Sequence, residues 1–245
     1  MRAHAILLDV THRLLMVERG ETGGAAPFSV DVPAGERPLA ALAAAARQAL
    51  GRALEMPLGV RVVGGDVWCV VVDPALRDAA LVPLRTWAGQ LATPWRVYVD
   101  TMLGGWEPPT TALEVFHFGD EPALASRLAH HVIKGTKRAT ASWVAAAEQL
   151  GWLGARVGLV SIVADGFGIP LCAIETTRVE RGRFGDAGPE IAEAEGEGDR
   201  SLADWRAAHQ RYFEAEGARL GIAFSDDAEI EYEHFRVLRV FQRAG

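Results

Sequence analysis

The apolar positions change period several times along the chain, and each change marks an element. Ala5–Val10 and Leu14–Val17 are short apolar runs separated by Thr11-His12-Arg13, the pattern of two strands and a turn. After the glycine-rich stretch Gly20–Ala26, Phe28–Val32 is a third extended piece that runs into Pro33-Ala34-Gly35-Glu36. Leu39–Leu50 holds good helix formers without a breaker and ends at Gly51, where a glycine suits the left-handed closing position. Gly59–Val63 and Val67–Val72 predict two more strands, followed by a helix at Trp87–Leu91 and a segment at Trp95–Leu103. Glycine and proline pairs then punctuate Gly104–Thr111 and set the domain boundary there.

Beyond that boundary the texture changes. Val115–Phe118 is extended, and Gly119-Asp120-Glu121-Pro122 opens a helix with Asp120 as its cap. Leu124, Leu128 and Val132 give that helix one packed face, and it ends at Lys134-Gly135. A second helix is predicted over Ser142–Leu150, closing at Gly151. Gly158–Ala164 and Ile169–Val179 read as strands paired across Asp165-Gly166-Phe167-Gly168. Ser201-Leu202-Ala203-Asp204 has capping-box spacing and opens a helix to Leu220, with Trp205, His209, Tyr212 and Phe213 along one side. Glu229–Phe241 alternates as a closing strand.

Composition narrows the class. A chain of 245 residues, 49% hydrophobic and 23% charged, fits one large or two ordinary globular domains. Its net charge of −7 argues against bulk electrostatic attachment to nucleic acid and leaves room only for a local basic patch. Cys69 and Cys172 each sit in an apolar run, which suits buried thiols rather than a disulfide or a metal site. There is no signal-peptide pattern and no apolar run of membrane-spanning length, so a cytoplasmic protein without a membrane partner is expected. Trp68, Trp87, Trp95, Tyr98 and Trp106 fit core and interface better than a stacking cleft.

Two stretches carry candidate chemistry. Ile133–Trp143 gathers Lys134, Lys137, Arg138, Thr140 and Ser142, and Ala192–Leu202 spaces Glu193, Glu195, Glu197 and Asp199 at alternate positions with glycines between the later ones. A basic, hydroxyl-bearing segment and a flexible acidic one form an acid/base site if the fold joins them. Otherwise the lysines only complement a helix end and the acidic run is a solvated loop, or one that takes a divalent cation. His130 and His131 are adjacent on a helix and make a poor metal pair. Arg178, Arg181 and Arg183 are either phosphate contacts or solvent-exposed cations.

In the first half, the order strand, loop, Pro-Ala-Gly-Glu, alanine-rich helix, glycine resembles the Nudix hydrolase family. With Glu36 and Gly51 set on the ends of the Nudix signature, Ala44 and Ala45 replace its arginine–glutamate pair, and Gln48 and Ala49 replace its metal-binding glutamates. No Asp or Glu occurs from Arg37 to Leu54, so magnesium-assisted hydrolysis is not expected there.

The second half is identified as a member of the ASCH (ASC-1 homology) family. The resemblance rests on F-H-F-G-D at Phe116–Asp120, G-T-K-R-A-T-A-S at Gly135–Ser142 and Val157-Gly158. It continues through D-G-F-G-I-P-L-C-A-I-E-T-T at Asp165–Thr177, E-G-E-G-D-R-S-L-A-D-W-R-A-A-H at Glu195–His209 and the terminal E-H-F-R-V. The two resemblances imply an α+β protein of two domains. Residues 1–108 form a degenerate Nudix-like α/β/α sandwich, and residues 113–245 an ASCH domain, a PUA-like β-barrel flanked by helices.

The family also implies a cleft for RNA or modified nucleosides, and relatives carry deacetylation of N(4)-acetylcytidine or ribonuclease activity. By resemblance, Lys137, Thr140 and Glu195 are the catalytic set, with Glu197 close enough to compete. A lysine of lowered pKa would activate the Thr140 hydroxyl or a water, and Glu195 would carry protons to and from the leaving group. Lys134, Arg138, Ser142, Glu197, Trp205 and His209 are the expected substrate-binding residues, although His209 by itself reads rather as a hydrogen-bonded structural histidine. No cofactor and no DNA partner are expected, and a homodimer is compatible with the sequence. Three readings stand: a hydrolase of RNA or a modified nucleoside, an RNA- or nucleotide-binding module without turnover, and a regulatory pair in which the Nudix-like half is a platform.

Overall fold

The fold is given by a computed structural model that describes residues 1–19, 24–51, 53–76, 81–84, 87, 91–110 and 113–241. The described residues form an α+β structure with two sheets and six helices. They divide into two compact units, the first comprising Met1–Ala125, Ile162–Leu171 and the chain from Phe241, the second Ser126–Ser161 and Cys172–Val240.

The first unit is built on β1 (Arg2–Leu8), β2 (Leu14–Arg19), β3 (Gly24–Asp31), β4 (Gly59–Val63), β5 (Asp66–Val72) and β6 (Leu81–Val82), ordered β4-β5-β1-β3-β2-β6. β1 runs parallel to β5 and antiparallel to β3 and is buried at Ala3–Leu8 without alternation, as a central strand covered on both faces must be. Helix α1 (Pro38–Leu50) begins with proline and stops at Gly51, whose φ of 68° suits glycine. It buries Leu42 and Ala46 against Ala3, Ala5, Leu7, Cys69 and Val71. Helix α2 (Ala92–Met102) lies on the other face, where a β-carbon at Gly59 would fall on the Thr101 methyl. The helix expected at Trp87–Leu91 falls largely outside the described residues.

The turn after β1 is fixed by polar bonds rather than by its sequence pattern alone. Asp9 accepts from the backbone of Thr11 and Arg13, and His12 takes a positive φ of 57°. His12 is fully buried. Its Nε2 lies 2.6 Å from the Gly168 carbonyl, which can only accept, so Nδ1 accepts from the Tyr98 hydroxyl at 2.7 Å. Burial drives its pKa down to about 4.

The second sheet has the order β7-β9-β10-β11-β8, from β7 (Leu113–Phe116), β8 (Ala139–Trp143), β9 (Val160–Ala164), β10 (Pro170–Arg183) and β11 (Glu229–Val240). Among the described residues its edge strands β7 and β8 do not pair, so the sheet is open and the expected closed barrel is not found. At the start of β8 the Arg138 N–H donates to the Ala194 carbonyl at 2.7 Å.

The helices here are α3 (Pro122–Ile133), α4 (Val144–Gln149), α5 (Pro189–Glu195) and α6 (Leu202–Leu220). Two differ from the sequence expectation. The helix predicted from Ser142 begins only at Val144, because Ala139–Trp143 is drawn into β8 by pairing with β11, Tyr232 opposite Ala141 and Ile230 opposite Trp143. The expected flexible acidic loop is half helix: Pro189 opens α5, which buries Ile191, Ala192, Ala194 and Glu195 before Gly196 closes it at φ 64°. Helix α6 starts as predicted, with Ser201 accepting from the Asp204 N–H. One face of β8 and β11 and both late helices share a core of Trp143, Ile191, Trp205, Phe213, Ile230 and Tyr232. No described helix is long and apolar enough to cross a membrane.

Candidate functional site

The centre of the second unit is a buried ion pair. Lys137 leaves the loop before β8 and is 1% exposed; its Nζ donates to Glu195 Oε2 at 2.8 Å and to Glu197 Oε1 at 2.5 Å. Glu195, at the last turn of α5, is equally buried and also accepts from Trp205 Nε1 at 2.9 Å. His209, one helical turn after Trp205, stacks on its indole with ring centres 4.3 Å apart. The His209 Nδ1 donates to the Trp205 carbonyl at 3.0 Å, and Nε2 faces Glu195 Oε1 at 3.3 Å. The fold therefore brings together Lys137, Glu195, Glu197, Trp205 and His209.

The electrostatics follow from burial opposed by charge. Burial alone would lower the Lys137 pKa, but Glu195 and Glu197 more than offset it and raise it above the ordinary lysine value. The lowered lysine pKa expected for a general base is thus not found; the partners that bury the amine also keep it charged. Burial would likewise raise Glu195, and the charges of Lys137 and His209 hold it well below the usual carboxylate range. His209 is raised: burial opposes its cation, and Glu195 outweighs burial. Glu197 differs from Glu195, since its side chain is 26% exposed and reaches water.

The remaining predicted residues lie around this pair. Strand alternation puts Ala139, Ala141 and Trp143 on the core face of β8, and Thr140 and Ser142 on the other, opposite Glu233 and Glu231 of β11. Lys134 and Arg138 are exposed and have no ion pair among the described residues. With Lys137, Phe235 and Arg236 they line a cleft of about 360 Å³. Sequence reasoning missed Arg236, although it stands in the quoted E-H-F-R-V; its guanidinium pairs with Glu175. Among the described residues no three His, Cys, Asp or Glu side chains gather as a metal site would require.

The second sheet and its flanking helices thus carry a buried lysine–glutamate pair with a cation-lined cleft beside it. The ASCH domain family matches residues 114–239, and the chain belongs to that family, whose fold is PUA-like and of an RNA-binding type. An ASCH domain from Lactobacillus crispatus JV V101 is 32% identical, with a TM-score of 0.52 over 58% of this chain and 91% of that one. A protein of Enterococcus faecalis V583 is 27% identical, with a TM-score of 0.50 over 61% and 88%. No curated protein matches the chain. The family match does not reach residues 1–113, and the comparisons give the Nudix-like reading of the first half no support.

Proposed function

We propose that the ASCH unit recognises RNA or a nucleotide at the cleft of Lys134, Arg138 and Arg236, with the Lys137–Glu195 pair as its rigid floor. The observation that carries this is the cleft itself: exposed cations converge there on a chain whose net charge is −7. Phosphates are held by such convergent cations, and the affinity they give falls with salt. The buried pair fits recognition better than proton transfer. Lys137 is held charged and Glu195 is held ionised with both oxygens occupied, so neither is free to exchange a proton near neutrality. Titrating labelled single-stranded RNA at two salt concentrations tests this. Binding that weakens with salt and is lost in Arg138→Glu is expected; salt-independent binding, or none, would refute it.

Hydrolysis of RNA or an N-acetylated nucleoside is the second reading. It is favoured by Glu197, a carboxylate that touches both the Lys137 ammonium and water. There Glu197 would take a proton from the attacking water and Lys137 would steady the developing oxyanion, while Thr140, on the other face of β8, would take no part in that step. Turnover of N(4)-acetylcytidine or RNA that Glu197→Gln abolishes supports it; equal activity of that variant removes it. The first half, with its carboxylate-free helix, is proposed as a degenerate Nudix-like platform without hydrolytic activity of its own.

A further inference from the structure

The first sheet ends on an unguarded strand. β4 is its outer member, and among the described residues no strand pairs with its far side. Val60, Val62 and Val63 are exposed there, Val62 at 72%. Sheet edges in soluble proteins carry lysine, proline or inward charge against pairing with another chain. β4 has a single charge, Arg61, whose guanidinium lies on the Val60 and Asp100 carbonyls at 3.0 and 3.3 Å.

The hairpin decides which main-chain groups are free. Gly64 and Gly65, at φ 60° and 89°, make the two-residue turn that closes Val63 on Asp66. Ladder bonds alternate from that pair, so Gly59, Arg61 and Val63 turn theirs to β5, while Val60 and Val62 turn theirs outward. Side chains alternate as well. A β-carbon at Gly59 would meet Thr101 of α2, so Arg61 and Val63 share the α2 face and Val60 and Val62 the opposite one.

Outward N–H and C=O groups take a strand, and charge selects which one. Against an antiparallel copy of β4, a two-fold axis at Arg61 would set the two cations directly opposite each other. An axis at Val60 would need Leu58, whose N–H is spent inward on the Val70 carbonyl at 2.8 Å. An axis at Val62 pairs Val62 with itself, Val60 with Gly64 and Arg61 with Val63. Asp66 is the cross-strand neighbour of Val63, so each Arg61 then lies one strand away from Asp66 of the other copy. The α-carbons are about 10 Å apart, within guanidinium reach. Arg61 has no carboxylate partner of its own among the described residues, and the Asp66 side chain is 37% exposed.

We propose that β4 is the contact of a homodimer, pairing antiparallel with β4 of a second copy about Val62 and continuing the six-stranded sheet across the two-fold axis. This does not depend on the RNA reading of the other unit.

Sedimentation of the full chain over a range of concentrations tests it, with Val62→Lys beside wild type. Wild type should form a reversible dimer. Val62→Lys sets like charges opposite each other at an exposed position and should weaken that dimer roughly ten-fold or more with the fold intact. Single cysteines read the register, since Cys69 and Cys172 are buried. The two Val62 α-carbons would stand about 5.5 Å apart, within disulfide range, and the two Val60 α-carbons about 14 Å apart. Diamide should therefore link Val62→Cys into a dimer and leave Val60→Cys unlinked. A dimer that survives Val62→Lys, or equal linking at both positions, overturns the proposal. So does a chain that stays monomeric at every concentration, which would leave the edge to an unlike strand.

Discussion

Replacing Lys137 with methionine isolates the central interaction of the second unit. The change keeps length and apolar bulk but leaves the Glu195 carboxylate, 1% exposed, without its ammonium. Glu197 is 26% exposed and can return to water, so the penalty falls mainly on Glu195. Breaking a buried pair from one side costs about 3–5 kcal/mol. In a chain of this size that corresponds to a fall in Tm of roughly 6–20 °C. Lys137→Met/Glu195→Gln removes the orphaned charge yet keeps an acceptor for Trp205 Nε1, and most of the loss should return. Urea unfolding of the full chain, followed by fluorescence, reads all three proteins. The pH dependence gives a second check. In wild type Glu195 has a lowered folded pKa, so its contribution is present above the ordinary carboxylate value and is lost in acid. In Lys137→Met protonation relieves the buried charge, so the gap to wild type should narrow as pH falls. A loss below about 1 kcal/mol, or a gap that stays constant into acid, would refute the account of a desolvated, mutually dependent pair.

Further outcomes follow from other contacts. The folded pKa of His209 is raised, so its stabilising contribution should be complete below the ordinary histidine value and decline as pH rises through the folded one; His209→Leu should flatten that limb of a stability–pH curve. His12 is the opposite case: its folded pKa of about 4 means that stability is lost as pH falls from the ordinary value near 6.5 towards 4, and His12→Asn should remove that slope from the acid unfolding curve. Ser201→Ala removes the cap of α6 and should cost about 1 kcal/mol in a urea melt. Gly196→Ala should destabilise well beyond that, because the added carbon would fall on the Thr136 carbonyl at a positive φ; a melt matching wild type would contradict the packing described.

Local signals made much of this fold legible. Gly51 ends α1 where a left-handed residue was expected, α6 runs to Leu220 as read, and Gly59–Val63 is a strand with the bounds read from its pattern. What escaped was decided at long range. Ala139–Trp143 has weak strand propensity, and only its ladder to β11 makes it a strand. The acidic run from Ala192 reads as flexible loop from its charges, and the helix Pro189–Glu195 that takes in its start is held by what Ile191 and Ala192 bury. The site was legible as two motifs, but sequence could not say that Glu195 is enclosed while Glu197, on the same ammonium, also reaches water. That follows from Glu195 ending a helix and Glu197 lying past the glycine that closes it. Arg236 was hidden because its relevance lies in the far end of β11 coming back beside Lys134 and Arg138.

The glycines of the E-G-E-G-D run acquire a different meaning from the contacts around them. A side chain at Gly196 would collide with Thr136, and one at Gly198 with the Asp204 carboxylate. The first is a clearance: the acidic segment can nestle against the lysine-bearing loop only because nothing projects from its backbone at Gly196, whereas the Asp204 side chain can swing aside. Any homologous chain that replaces Gly196 while keeping both glutamates should have lost the lysine–glutamate geometry, so that spacer forecasts an intact centre at least as well as the charged residues do.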